Sequence, residues 1–327
     1  MIKPFKITFH PSNKCNLRCV FCNIPYLKKE RKLDYLPSSR EISDKKWLEI
    51  SEEACKMGIK EIVISGGGEP LMRRELVMKM IETVKSYSVT LCLVTNGTLF
   101  RKEDIYKIVE SQVNAIHLNI TSPKSSVDNT LKGRKGAYEK SIKAIRLINQ
   151  LKKKLHSELP RIAFSTVVSK ANFKDVLQLI KLAESLEVYE IYFNSLILKN
   201  PECYSLELSE KEKRKVIETL KKAKTNIKLH FDSLLFKNRV ESFHEKIKVF
   251  IPNSRLAYCK IPWREMIIES DGNIITCPKW KEAPNILKID LQKAWVEGFK
   301  ELRKKVEKNE FEPCFSCEMK KLLEPKF

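Results

Sequence analysis

Cys15-Asn16-Leu17-Arg18-Cys19-Val20-Phe21-Cys22 sets three thiols on one short stretch of chain. Immediately upstream, Phe5-Lys6-Ile7-Thr8-Phe9 alternates apolar and polar side chains, the period of a β-strand. The cysteines therefore fall on a loop at the C-terminal end of that strand. Packing alone does not ask for three thiols so close together. A zinc ion would want a fourth nearby Cys or His, and His10 is the only candidate. Three thiolates on a short loop can instead hold three irons of a four-iron cluster and leave the fourth iron open to a ligand.

Outward from this loop, strand and helix signals take turns. Helical spacing covers 44–57, 73–86, 101–111, 135–155, 172–186 and 209–224, and strand-like runs cover 61–65, 89–94, 114–120, 161–168, 188–194 and 227–231. Such alternation implies βαβ units and a parallel sheet, which places ligands at the C-terminal ends of the strands. The expected fold class is α/β, a parallel sheet curled into a partial or full barrel over residues 1–235 followed by a small α+β domain over 236–327. That second part begins with a helical stretch at 240–248. Two short runs, 265–269 and 273–276, then flank Ser270-Asp271-Gly272 as a hairpin, and a helix at 290–306 follows.

Composition excludes several classes. At 43% hydrophobic and 31% charged residues the chain resembles an ordinary globular protein, and no apolar run is long enough to span a bilayer. The N-terminus shows no signal-peptide pattern, so a cytoplasmic location is expected. The net charge of +21 raises nucleic acid as a partner, but the Lys runs are mixed with Glu in helical patterns, as on a solvated helix face. A nucleic-acid-modifying enzyme stays as an alternative. Ten cysteines in such a chain point to metal or redox chemistry rather than a disulfide framework, with Cys55, Cys92 and Cys203 read as small buried hydrophobes.

A second motif stands after the second strand run. Gly66-Gly67-Gly68-Glu69-Pro70 spends three of the nine glycines in one turn, which means that backbone must pass close to something. It is a poor phosphate loop, since no Gly-Lys-Ser/Thr follows and Glu69 would repel phosphate.

With Cys15, Cys19 and Cys22 in a CxxxCxxC loop and a GGE turn after the next strand, the chain resembles the radical SAM superfamily. The resemblance implies a [4Fe-4S] cluster held by those three cysteines, with S-adenosylmethionine chelating the open iron and Phe21 near the adenine. It implies that Gly67, Gly68 and Glu69 form the stretch meeting the methionine amino group. Weaker echoes are Thr95-Asn96-Gly97, similar to the family's TNG turn, and Leu118 to Ser122, in the place of a segment that often reads SLDG and contacts the ribose. There Asn119 stands for Ser and Thr121 for Asp, which keeps hydrogen-bonding capacity but removes a carboxylate. Ser165, with Thr166, is placed to line the same mouth.

Cys259, Cys277, Cys314 and Cys317 form a third set, which by spacing alone suits a second cluster or a structural zinc. The C-x12-G-x4-C arrangement with a closing CxxC looks like a SPASM or twitch domain, and the resemblance implies an auxiliary [4Fe-4S] cluster ligated by all four thiolates. In families that resemble this one, such a cluster commonly accepts the electron left on the substrate radical. The expected reaction is thus a net oxidation of a small molecule, since the first strand starts too near the N-terminus to leave room for a leader-binding domain. A peptide- or protein-modifying maturase is the alternative. Candidates for the base are His117, Tyr192 and Asn194. The family implies a ferredoxin- or flavodoxin-type reductant.

Overall fold

The computed structural model describes residues 3–22, 41–198, 201–231 and 259–314. Seven parallel strands follow one another in space as in sequence. They are β1 (Lys6–Phe9), β2 (Glu61–Ile64), β3 (Thr90–Thr95), β4 (Ala115–Asn119), β5 (Arg161–Val168), β6 (Glu190–Ser195) and β7 (Lys228–Phe231). Helices α1 (Asp44–Lys56), α2 (Arg74–Lys85), α3 (Lys102–Glu110), α4 (Ser125–Leu131), α5 (Ala137–Lys154), α6 (Val176–Ser185) and α7 (Glu210–Lys221) fill the crossovers. The sheet does not close on itself, so the barrel is partial.

The period-2 pattern of the strands explains the layering. Ile7, Phe9, Ile62, Ile64, Leu91, Leu93, Ile116, Leu118, Phe164, Ile191 and Phe193 are all buried in one core with the helices, where Phe9 meets Trp47 of α1 edge-on at 5.6 Å. The alternate residues, among them Thr8, His117, Asn119, Ser165, Tyr192, Asn194 and His230, turn to the opposite, inner face of the barrel. Every expected strand and helix of the barrel is present within a few residues.

Three features depart from the sequence expectation. The first is α4, which was not foreseen. It is short and polar, with only Val127 and Leu131 at helical spacing, so its periodicity is below what a sequence window resolves. The second is the helix expected at 290–306, which is two helices, α8 (Leu291–Val296) and α9 (Lys300–Glu307). The break falls at Gly298, where a Cβ would lie 2.6 Å from the Ala294 carbonyl oxygen, and it lets Trp295 and Phe299 both enter the core.

The third concerns the C-terminal hairpin of β8 (Glu265–Ile268) and β9 (Ile274–Ile275). It joins the barrel sheet, β8 running parallel to β1 with Ile7 opposite Met266 and Phe9 opposite Ile268. The 235/236 boundary, the helical stretch at 240–248 and Cys317 lie outside the described residues. Among the described residues no helix is long and apolar enough to cross a membrane.

Candidate active site

The loop carrying Cys15, Cys19 and Cys22 leaves β1 and is held from three sides. On the β2 side, Gly68 N–H donates to the Ser12 carbonyl at 3.0 Å and Glu69 N–H to the Lys14 carbonyl at 2.8 Å. This close approach is why glycine is needed: a Cβ on Gly67 would fall 2.2 Å from Asn13 Oδ1, and one on Gly68 2.1 Å from the Lys14 oxygen. On the α4 side, Arg18 N–H donates to the Lys132 carbonyl (3.1 Å) and Val20 N–H to the Leu131 carbonyl (3.0 Å), while Arg134 reaches the Asn16 carbonyl at 2.7 Å. On the β8 side, the buried Asn13 amide donates to Ser270 Oγ at 2.5 Å.

Glu69 does not present its carboxylate to the open mouth. It is buried and accepts from Thr95 Oγ1 (2.5 Å), Asn96 N–H (2.8 Å) and Leu71 N–H (3.2 Å), so it ties the β2 turn to the β3 turn. Burial raises its pKa, and the three donors act against that rise. Asn96 is likewise occupied. Its amide donates to Asn16 Oδ1 at 2.9 Å, and its own oxygen accepts from Thr98, whose hydroxyl in turn receives the Asn16 amide at 2.7 Å. The GGE and TNG segments thus fix the cysteine loop from behind.

At the end of β4 the two substitutions for the SLDG pattern part company. Thr121 is buried with its N–H and hydroxyl both given to Asp128 of α4 at 2.8 and 2.9 Å, so its side chain serves the scaffold rather than the mouth. Asn119 remains on the inner face. Its amide donates to the Ser165 carbonyl at 3.0 Å, and its buried Oδ1 has no hydrogen-bond partner among the described residues. Ser165 accepts from Asn194 at 3.1 Å, so Asn119, Ser165 and Asn194 form one polar row across β4, β5 and β6.

One layer deeper, three rings stack: His117 on Tyr192 at 5.0 Å and Tyr192 on His230 of β7 at 4.4 Å. His230 Nε2 lies 2.9 Å from Glu190 Oε2. Burial lowers the pKa of His117, with Glu190 pulling the other way. Burial also raises the Tyr192 hydroxyl, and the neighbouring Glu190 carboxylate reinforces it. Burial works against ionised Glu190, but the hydrogen bond and charge of His230, joined by His117 and Tyr192, together outweigh it and leave its pKa lowered.

The cysteines of the loop are half-buried, with Phe21 beside Cys22. Burial first, then the neighbouring thiols, push Cys19 up to about 12, and burial raises Cys15 as well. A bound cation reverses that logic by deprotonating its thiols, so loading the loop releases protons. Among the described residues no three His, Cys, Asp or Glu side chains converge on a single-ion position. Three ligands to three different irons of a cube need not do so. His10, the zinc alternative, instead lies with Nδ1 3.6 Å from Glu269.

In the C-terminal region Cys259, Cys277 and Cys314 are half-buried against the core. Trp280, three residues after Cys277, packs edge-on at 5.7 Å against Phe311, three before Cys314, and so draws those two segments together. Of the isolated cysteines, Cys55 and Cys92 are buried as expected; Cys203 is buried too, but its thiol donates to the Val20 carbonyl at 2.8 Å beneath the loop. Sequence reasoning missed Asn13, Asn16, Ser270, Lys132, Glu190 and His230. Only the Asp128–Lys132 spacing, one helical turn apart, carried a signal.

An open α/β barrel with a cysteine loop after its first strand and a second cysteine set in its C-terminal region defines the class. Residues 9–183 match the radical SAM superfamily and residues 259–318 match an iron–sulfur cluster-binding domain of the SPASM type. The first match spans more than half of the chain, and the chain belongs to the radical SAM superfamily: it is a radical SAM enzyme with [4Fe-4S] clusters and S-adenosylmethionine as cofactors. Among curated relatives it is 24% identical over 183 residues to the PqqA peptide cyclase of Granulibacter bethesdensis, covering 56% of this chain and 45% of that one. The chain thus spans about half the length of that relative.

Among solved structures, the fold follows Streptococcus suis SuiB bound to S-adenosylmethionine with a TM-score of 0.69 at 17% identity, over 98% of this chain and 72% of that one. It follows native anSMEcpe with bound AdoMet and a Cp18Cys peptide with a TM-score of 0.65 at 16% identity, over 98% and 88%.

Proposed function

We propose that this enzyme modifies a peptide or protein, with Cys15, Cys19 and Cys22 holding the S-adenosylmethionine-cleaving cluster and Cys259, Cys277, Cys314 and Cys317 an auxiliary one. The observation that carries the reading is the whole-chain likeness, hairpin and helices after β7 included, to two enzymes whose solved structures hold peptide or S-adenosylmethionine, joined by a peptide cyclase among the curated relatives. This moves the weight from a small molecule, the first expectation from sequence, to its peptide alternative.

When bound, the reduced cluster and S-adenosylmethionine supply a 5′-deoxyadenosyl radical, which takes a hydrogen atom from the substrate. The chain's own residues do the rest. Glu69, Asn96 and Asn16 tie together the turns behind the loop that would hold the cluster. The backbone at Gly67 and Gly68 would meet the methionine amino group and Phe21 would lie by the adenine, while Asn119, whose Oδ1 has no hydrogen-bond partner among the described residues, and Ser165 would hold the ribose. Beside them Asn194, and one layer below His117 and Tyr192, line the inner face where a substrate side chain would enter, and neutral His117 is the group best suited to accept a proton. A ferredoxin or flavodoxin supplies the electron.

The test follows the hydrogen. Reconstituted enzyme is given S-adenosylmethionine, dithionite and either a deuterated random-peptide pool or deuterated polyols. Deuterium in 5′-deoxyadenosine from the peptides alone supports the proposal; deuterium from the polyols, or from neither, overturns it.

A further inference from the structure

α4 and its C-terminal turn contain an ion pair with no exposed surface on either side chain: Lys132 Nζ lies 2.8 Å from Asp128 Oδ2. Removing two charges from water is costly, and an apolar pair of the same shape often serves stability as well. The pair is also built in from outside its own helix. Asp128 Oδ1 accepts both the N–H and the hydroxyl of Thr121 at the end of β4, which fixes the carboxylate. The Lys132 ammonium, with three N–H donors, has no neighbour besides Asp128 to receive them among the described residues.

What lies against this pair is the cysteine loop. The Lys132 carbonyl takes the N–H of Arg18 and the Leu131 carbonyl takes that of Val20, the two residues flanking Cys19. Gly133, in the left-handed region at φ +62°, brings its Cα against the Arg18 carbonyl, where a Cβ would sit 2.5 Å from the oxygen. The loop is thus clamped to the chain segment that carries the buried ammonium.

We propose that Lys132 is a positioning residue for the S-adenosylmethionine-binding cluster: its buried ammonium, tethered by Asp128, places a fixed positive charge and spare N–H donors on the Cys19 side of that cluster. Reducing the cluster adds one negative charge. A fixed cation in a site of low polarisability stabilises the reduced form more than the oxidised one, so Lys132 raises the cluster potential and eases delivery of the electron. The inference rests on the assignment of Cys15, Cys19 and Cys22 as ligands.

The experiment uses full-length protein in a background carrying Cys259→Ala, Cys277→Ala, Cys314→Ala and Cys317→Ala, so that one cluster is read. Iron per chain, unfolding temperature and the midpoint potential by EPR-monitored titration are measured without substrate. In this background Lys132→Arg keeps the parent potential, Lys132→Met shifts it to more negative values, and Lys132→Met/Asp128→Asn, which removes the unpaired carboxylate, restores stability but not the potential. A folded double variant with parental iron and parental potential overturns the proposal, as does a Lys132→Arg variant that behaves like Lys132→Met. A folded background protein holding no iron overturns the ligand assignment itself, a separate and recognisable failure.

Discussion

His117 shows how much one side chain can report. It is stacked on Tyr192 inside the barrel, its pKa lowered by burial, with Glu190 and His230 the charged or titratable groups that act on it and Val94 and Ala163 its strand neighbours. Because its folded pKa lies below the unfolded value near 6.5, unfolded chains take up the proton first as pH falls. Its contribution is therefore complete above about pH 6.5 and is lost as pH drops toward the folded pKa. His117→Phe keeps a ring on Tyr192 but cannot protonate. Urea unfolding at pH 7, 6 and 5 should show a shallower loss of stability for this variant than for wild type. At this scale the three thiols stand out by spacing alone, since three within eight residues have few uses in packing. Asn13, Asn16 and Ser270 were not, because each finds its partner on a loop distant in sequence, and a lone Asn or Ser looks the same whether it meets water or a neighbour.

Between elements, the junction of α4 with the cysteine loop is the most sensitive contact. Gly133→Ala puts a Cβ into the Arg18 carbonyl at a positive φ, a backbone conformation that costs about 1–2 kcal/mol before any clash. The expected outcome is a lowered unfolding temperature together with a drop in iron bound after reconstitution, by roughly half or more. Loss of stability with full iron would place the strain elsewhere. The strands and long helices were readable because alternation and helical spacing repeat over many residues. α4 was not, and neither was the break at Gly298: a seven-residue helix and a single glycine are decided by what packs against them rather than by period.

On the scale of the whole molecule, the sheet runs from β7 to β9 without a gap, and β1 is an inner strand because β8 lies beside it. α8 joins in by taking Glu53 of α1 as acceptor for Leu291 N–H at 2.8 Å. Deleting residues 259–327 should leave β1 as an unpaired apolar edge, and size-exclusion chromatography should show aggregates. Replacing the four C-terminal cysteines with alanine keeps the strand pairing, so that protein should elute with the wild type. If both behave alike, the sheet contact is not what the C-terminal region contributes. The hairpin signal around Ser270-Asp271-Gly272 and the second cysteine set announced a second region in the sequence, but nothing local announces that one of its strands completes the first sheet.

The Asn13–Ser270 bond spans 257 positions of sequence. On a ribosome, where synthesis proceeds at about 5–20 residues per second, the cysteine loop emerges long before the β8–β9 turn that fixes it. The chain therefore spends an interval with its N-terminal cysteines exposed and their seat unfinished. Closing so long a loop is also slow relative to local folding. The seat of that loop is therefore completed only once residues near Ser270 have been made.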